Sequence, residues 1–216
     1  MEGLSTKRVV RDKWKIKKWY EVLAPESFGS ISLGSVPSDD PDKLIGRVLE
    51  TTLYDITGDV TQVHVKLYFQ IIKVEGNTAY TRFKGHELAR DYMRSLVRRK
   101  SSKIQGIFDI QTKDGYVLRI TIVVLTSYRC KTSQKRAIRR AMREYIVQKA
   151  SELTLDELIH EILKGTVSNE ISERARKIYP VRRVEVYKTK LLMIPTPEGP
   201  KPAVVISPIQ LKRATS

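Results

Sequence analysis

Residues 62–74 alternate: Val63, Val65, Leu67, Phe69 and Ile71 are apolar, and His64, Lys66, Tyr68 and Gln70 stand between them. A period of two puts the first set on a core face and the second in water, which predicts a strand with one wet face. Residues 46–56 carry a similar pattern. Glu75, Gly76 and Asn77 predict a hairpin turn into a strand over residues 78–83. A second hairpin is predicted from 107–112 to 116–126, turning at Asp114 and Gly115, and the apolar run 120–125 predicts cover on both faces. Residues 182–194 and 203–206, separated by Pro195, Pro197, Pro200 and Pro202, bring the expectation to about seven strands.

Elsewhere the period shifts to 3.6. Residues 86–98 place Leu88, Tyr92 and Leu96 inward and Arg90, Arg94 and Arg98 outward, with a stop expected before Arg99 turns toward the apolar side. A helix starting near Ser133 carries Ile138, Ala141, Met142 and Tyr145 on one side and Arg136, Arg139, Arg140 and Arg143 on the other. Thr154 and Glu157 stand in capping-box spacing ahead of Leu155, Leu158, Ile159, Ile162 and Leu163, and Gly165 ends that helix. A fourth helix is predicted over 168–178, closed by Pro180, and residues 25–41 read as an irregular loop. Hairpins first and helices later predict an α+β fold, an antiparallel-rich β-barrel of about seven strands with flanking α-helices. The expected organisation is a basic N-terminal arm over 1–20 leading into the first strand, a single α+β barrel domain over 21–200 with peripheral helices, and a short C-terminal strand with a basic tail over 201–216.

Charge changes the picture from fold to partner. Forty Lys and Arg against 24 Asp and Glu give a net charge of +16, which favours polyanions without choosing among them. The excess is concentrated: between Arg129 and Arg143 stand seven cations and no acid, the first being Glu144. Like charges at i,i+3 and i,i+4 cost about 0.2–0.5 kcal/mol per pair unless an anion lies between them. The candidate RNA-binding set is therefore Arg129, Lys131, Lys135, Arg136, Arg139, Arg140 and Arg143 at this helix. Arg94, Arg98, Arg99, Lys100 and Lys103 join it from the preceding helix and loop, Lys13, Lys15, Lys17 and Lys18 from the N-terminal segment, and Arg182 and Arg183 from the last long strand. Trp14, Trp19 or Tyr20 could stack on bases, although beside Ile16 and Val22 at strand spacing the tryptophans read first as core or barrel edge.

Catalytic constellations are weak. His64, His86 and His160 form no ligand pair at helical spacing and read as satisfied or exposed histidines, and residues 29–35 lack the lysine of a phosphate loop. Asp39, Asp40 and Asp42 read as a solvated turn before a magnesium site. Cys130, the single cysteine, has cationic neighbours but no local base, and it excludes an intramolecular disulfide framework, which suits a reducing compartment. No apolar run approaches the ~18–20 residues of a membrane span, and no signal-peptide core stands at the N-terminus, so a cytosolic location is expected.

Leu44, Gly46, Arg47, Val48, Glu50, Leu53 and Asp55 resemble the signature block of the S3Ae (eS1) family of small-subunit ribosomal proteins, with Thr52 and Ile56 as conservative departures. The likeness continues through Lys17, Lys18, Trp19, Tyr20, Ala24 and Pro25, and through Gly85, His86, Glu87, Arg90, Asp91, Tyr92, Arg94, Ser95 and Leu96. It extends to Ile178, Tyr179, Pro180, Arg182 and Val184, and the absence of a long acidic tail after Ser216 resembles archaeal members. The resemblance implies a structural component of the cytoplasmic small subunit, on the platform near the mRNA exit. It further implies contacts with small-subunit rRNA and neighbouring ribosomal proteins, with mRNA as a candidate contact, a β-barrel with flanking helices, no cofactor and no catalytic residue. Two alternatives remain open on the residues alone: a metal-dependent RNA-processing nuclease built on Glu50, Asp55 and Asp59 or the Asp39 cluster, and a factor that visits the ribosome transiently. A membrane role is disfavoured, because the arginine helix needs its apolar stripe for a core.

Overall fold

Strand-forming periodicity is realised most fully in the central hairpin. The computed structural model describes residues 14–197 and 199–203, so Lys13 and most of the strand expected over 203–206 lie outside the described residues. Chain order runs β1 (Lys18–Leu23), β2 (Ser32–Ser38), β3 (Val48–Thr52), α1 (Leu53–Thr57), β4 (Val65–Glu75), β5 (Thr78–Leu88), α2 (Arg90–Leu96), β6 (Lys103–Gln111) and β7 (Val117–Thr126). Three helices follow, α3 (Thr132–Glu152), α4 (Leu155–Lys164) and α5 (Thr166–Arg176), and then β8 (Val181–Ile194) and β9 (Lys201–Pro202). In β4, Leu67, Phe69 and Ile71 are fully buried, as the alternation requires. Gln70 is buried too, its amide donating to the Gly46 carbonyl at 3.0 Å, while Val63 lies exposed before the strand.

All nine strands belong to one mixed sheet. β5 is its branch point: β4 pairs along one edge, while β1, in parallel, and β8, antiparallel, share the other. The order then continues β8, β7, β6 on one side and β1, β2 on the other, with β3 beyond β4. The sheet is not closed into a barrel, and the seven-strand barrel is corrected to an open sheet of nine strands with five α-helices among the described residues. The physical reason lies in the helices. Ile138, Met142 and Ile146 of α3, Leu158 and Ile159 of α4 and Ile171 of α5 share one core with Ile104, Ile120, Ile122 and Val124, so the sheet buries apolar surface against helices. A smaller cluster of Tyr20, Val22, Leu44, Ile71 and Ala79 sits beneath β1.

Two glycines set the close approaches. A Cβ on Gly85 would lie 2.3 Å from the Thr189 carbonyl oxygen, so only glycine lets β8 reach β5 there. Beside it, His86 is fully buried: Nδ1 accepts from the Thr189 hydroxyl at 2.7 Å and Nε2 donates to the Val186 carbonyl at 3.0 Å. These two bonds satisfy the neutral ring, and burial pushes its pKa down to about 4. On Gly106, a Cβ would meet the Phe108 ring at 2.5 Å and Met142 Cε at 2.9 Å, so α3 lies directly on β6.

Several local expectations change. Residues 25–41 contain β2, whose Ser, Gly and Pro content hides a strand that exists because β1 offers it an edge, with Trp19 opposite Pro37. The strand expected through residue 56 ends at Thr52, where Thr52 and Asp55 exchange capping hydrogen bonds and start α1. The helix expected from residue 86 begins at Arg90, since His86 to Leu88 are still paired in β5, and its buried residue is Met93. The capping box of α4 and its Gly165 stop are as expected, and residues 120–125 are buried throughout.

Candidate nucleic-acid interface

The α3 sequence has no glycine or proline, and its N-terminus is tied down when the Gln134 side chain accepts from the Lys131 backbone N–H at 2.8 Å. Burial of Ile138, Met142, Tyr145 and Ile146 fixes the helix's rotation about its axis. Arg136, Arg139, Arg140 and Arg143 are therefore held outward and exposed. None of these four, nor Arg129, Lys131 or Lys135, forms an ion pair among the described residues. A folded scaffold thus maintains like-charge repulsion that an approaching polyanion would relieve.

Beside this face lies a groove of about 700 Å³ lined by Arg90, Met93, Arg94 and Val97 from the α2 region, Lys103 and Gln105 of β6, and Tyr187 of β8. Arg139 Nε donates to the Gln105 carbonyl at 3.0 Å, joining the α3 face to the groove's rim. Lys103 Nζ stands 6.0 Å from the centre of the Tyr187 ring. Arg98, Arg99 and Lys100 occupy the exposed turn above β6. That turn is tethered to the loop before α3: Cys130 N donates to Ser102 Oγ at 3.2 Å, and Ser102 N donates to Thr126 Oγ1 at 3.0 Å. The Arg129 carbonyl in turn accepts from Tyr179 Oη at 2.9 Å. Sequence separation of some forty residues between these cationic segments collapses into one contiguous region.

Other candidates sit elsewhere. Arg182 and Arg183 line a separate cavity of about 360 Å³ with Lys164 and Arg176. Arg183 is already engaged, donating to Glu185 at 2.7 Å and to Tyr92 Oη at 3.1 Å, and Glu185 raises its pKa. Lys15, Lys17 and Lys18 are exposed at β1, which β5, β8 and β7 separate from β6 in the sheet, so they form a second basic region. Trp14 and Trp19 are 61% and 58% exposed, which corrects the expectation of core tryptophans: Tyr20, one residue on, takes the inward position instead. Sequence reasoning missed Arg90 and Tyr187 as groove residues. Arg90 had a signal in its four-residue step to Arg94, whereas Tyr187 comes from a distant strand and had none.

The acids of the nuclease alternative are occupied separately. Glu50 pairs with Lys66 at 2.6 Å, Asp55 caps α1, and Asp59 accepts from Thr61 N at 3.0 Å. Lys43 bridges Asp39 and Asp40, and its hydrogen bond holds the Asp39 carboxyl below the usual range. No metal-holding group of three or more His, Cys, Asp or Glu occurs among the described residues. His160 Nε2 is 2.8 Å from the Ser27 carbonyl, and His64 stacks on Tyr92 at 3.8 Å, so all three histidines have structural partners. No helix among the described residues is long and apolar enough to cross a membrane.

Fold and surface together define a class: an α+β scaffold whose packed core holds a broad, uncompensated cationic face. The Ribosomal S3Ae family profile matches residues 5–195. The chain is 81% identical to the small ribosomal subunit protein eS1 of Desulfurococcus amylolyticus, over 94% of this chain and 96% of that one. It is 73% identical to the protein of that name from Staphylothermus marinus, over 96% and 98%, and 61% identical to that from Aeropyrum pernix, over 94% and 97%. The chain belongs to the Ribosomal S3Ae family.

Proposed function

We propose that this protein is a structural constituent of the cytoplasmic small ribosomal subunit, associated with rRNA and with other ribosomal proteins, and not an enzyme. Relatives at 81% and 73% identity carry the name small ribosomal subunit protein eS1, which supports this role. In finer detail, the α3 arginine face, the turn above β6 and the α2 groove bind rRNA backbone on the subunit platform near the mRNA exit. The observation that carries this is the cluster of seven cations from Arg129 to Arg143 that form no ion pair among the described residues, five of them on a helix whose orientation the core dictates. Arg and Lys there meet phosphates and the 2′-hydroxyl surface of folded RNA, reading shape more than sequence. Exchange of counterions makes affinity fall by roughly 0.7–0.9 log unit per log salt for each contact. The fine organisation remains a single α+β domain over 21–200, with basic segments at either end, and mRNA is a candidate neighbour.

Sucrose-gradient sedimentation of tagged protein at high salt and low magnesium tests this reading. Stoichiometric co-migration with the small subunit is expected. Migration at the top of the gradient would replace the integral role with transient binding.

A further inference from the structure

The outer face of β1 carries a feature that a phosphate-binding surface has no use for. Trp19 points away from the small core that holds Tyr20 and Val22, and more than half of the residue is open to water. Its cross-strand partner is Pro37, and Ser35, the next residue of β2 on that face, is too small to cover an indole. Exposed Trp14 and Ile16 lie just upstream, with Lys17 Nζ 4.1 Å from the centre of the Trp14 ring. Lys15 and Lys17 flank these apolar groups from the segment just before β1, while Lys18 alternates onto the other face with Tyr20, and Glu21 shares the face of Trp19. Glu21 is the acid on the same strand, and Asp39 and Asp40, beyond Ser38, are both held by Lys43. A large aromatic surface flanked by lysines suits an occupant that is both anionic and flat-faced. Phosphate alone does not need the indole, and an apolar protein patch does not need the lysines.

We propose that this face is a stacking platform for unpaired nucleotides of RNA, with Trp19 taking a base and Lys15 and Lys17 the adjoining phosphates. The inference rests on the RNA-binding reading above but assigns a different RNA geometry to a different site. Duplex RNA keeps its bases stacked on one another and has none to offer Trp19, whereas a single strand presents a free π-face. The platform therefore sorts unpaired from paired RNA, a distinction the α3 face does not make.

The chain's two tryptophans both lie in this region, so tryptophan emission reports on it alone. Full-length protein titrated with oligouridylate is expected to show quenched emission, and an RNA hairpin with a blunt stem and a non-nucleotide linker in place of its loop is expected to bind without it. Trp19→Ala should weaken oligouridylate binding about tenfold. Trp19→Phe should restore most of the affinity, and neither variant should change hairpin binding measured by anisotropy. Unchanged emission with oligouridylate, equal quenching by the hairpin, or undiminished affinity in Trp19→Ala would overturn the platform. So would an emission shift produced only by RNA-free small-subunit proteins, which would give the face to a protein partner. Hairpin binding that survives in Trp19→Ala but fails in the α3 arginine variant keeps the two readings separately testable.

Discussion

Arg139 and Lys149 sit ten residues apart on α3 and live in opposite electrostatic worlds. In the C-terminal half, Lys149 reaches Glu161 of α4 at 3.2 Å and Glu170 of α5 at 3.8 Å, and the Arg174 guanidinium lies 4.7 Å from the Tyr145 ring centre. In the N-terminal half, Arg136, Arg139, Arg140 and Arg143 have no acid partner among the described residues. One half spends its charge inside the protein, binding helix to helix. The other keeps it for something outside. A net charge of +16 says nothing about that division, and the ion pairs do.

Reversing the charge of the outward half has the largest expected effect. Changing Arg136, Arg139, Arg140 and Arg143 to glutamate is expected to lower affinity for structured RNA by about a thousandfold at moderate salt and to prevent stable incorporation into the subunit. Circular dichroism and the urea midpoint should stay near wild type, because relief of arginine repulsion offsets the new glutamate repulsion. Normal incorporation in gradient-purified subunits would refute the assignment.

Acid separates folding from binding. His86 is held neutral in the native state with a pKa of about 4, whereas in the unfolded chain it titrates near its ordinary value of 6.5. The unfolded chain therefore takes up a proton first. Stability should be full above about pH 6.5 and decline progressively toward pH 4, by roughly 3 kcal/mol in total from this residue. His86 lies outside the arginine face, so RNA affinity of the folded protein should not follow this loss of stability. Urea titrations of wild type and His86→Gln, compared at pH 7 and pH 4.5, measure the difference: the variant's pH dependence should be shallower.

A backbone substitution next to it isolates the scaffold. Gly85→Ala must push β8 away from β5, because the new methyl would overlap the Thr189 carbonyl. A loss of about 2 kcal/mol is expected in the urea midpoint, with the salt slope of RNA binding unchanged under native conditions.

These contrasts also show how legible the molecule was. The arginine face could be read from sequence because a 3.6-residue apolar stripe fixes a helix's rotation, and rotation fixes which cations face out. The α4 boundaries were legible because Thr154, Glu157 and Gly165 each do local chemistry that tertiary context does not override. β2 was hidden, since its residues have little intrinsic strand preference and depend on the β1 edge. Trp19 was misread because alternation shows that two neighbours face opposite ways without showing which faces in. The α2 groove was only partly visible: Arg94 and Lys103 carry local signals, while Tyr187 arrives from across the sheet. Barrel closure failed as an expectation because strand count does not reveal that β5 shares one edge between β1 and β8.

The mildest substitution sharpens the division within α3. Lys149→Gln removes a cation from the same helix as the arginines, so a site that merely sums helix charge would feel it. Here the lysine is directed at Glu161 and Glu170, and Glu161 raises its pKa. Its removal leaves those carboxylates facing each other near the α3 C-terminus, and a loss of about 1 kcal/mol in stability is expected. RNA affinity should stay within about twofold, since Glu161 and Glu170 already cancel the field of this cation at the RNA surface. A tenfold loss of affinity in anisotropy titrations would extend the interface along the whole helix and erase the difference between its halves.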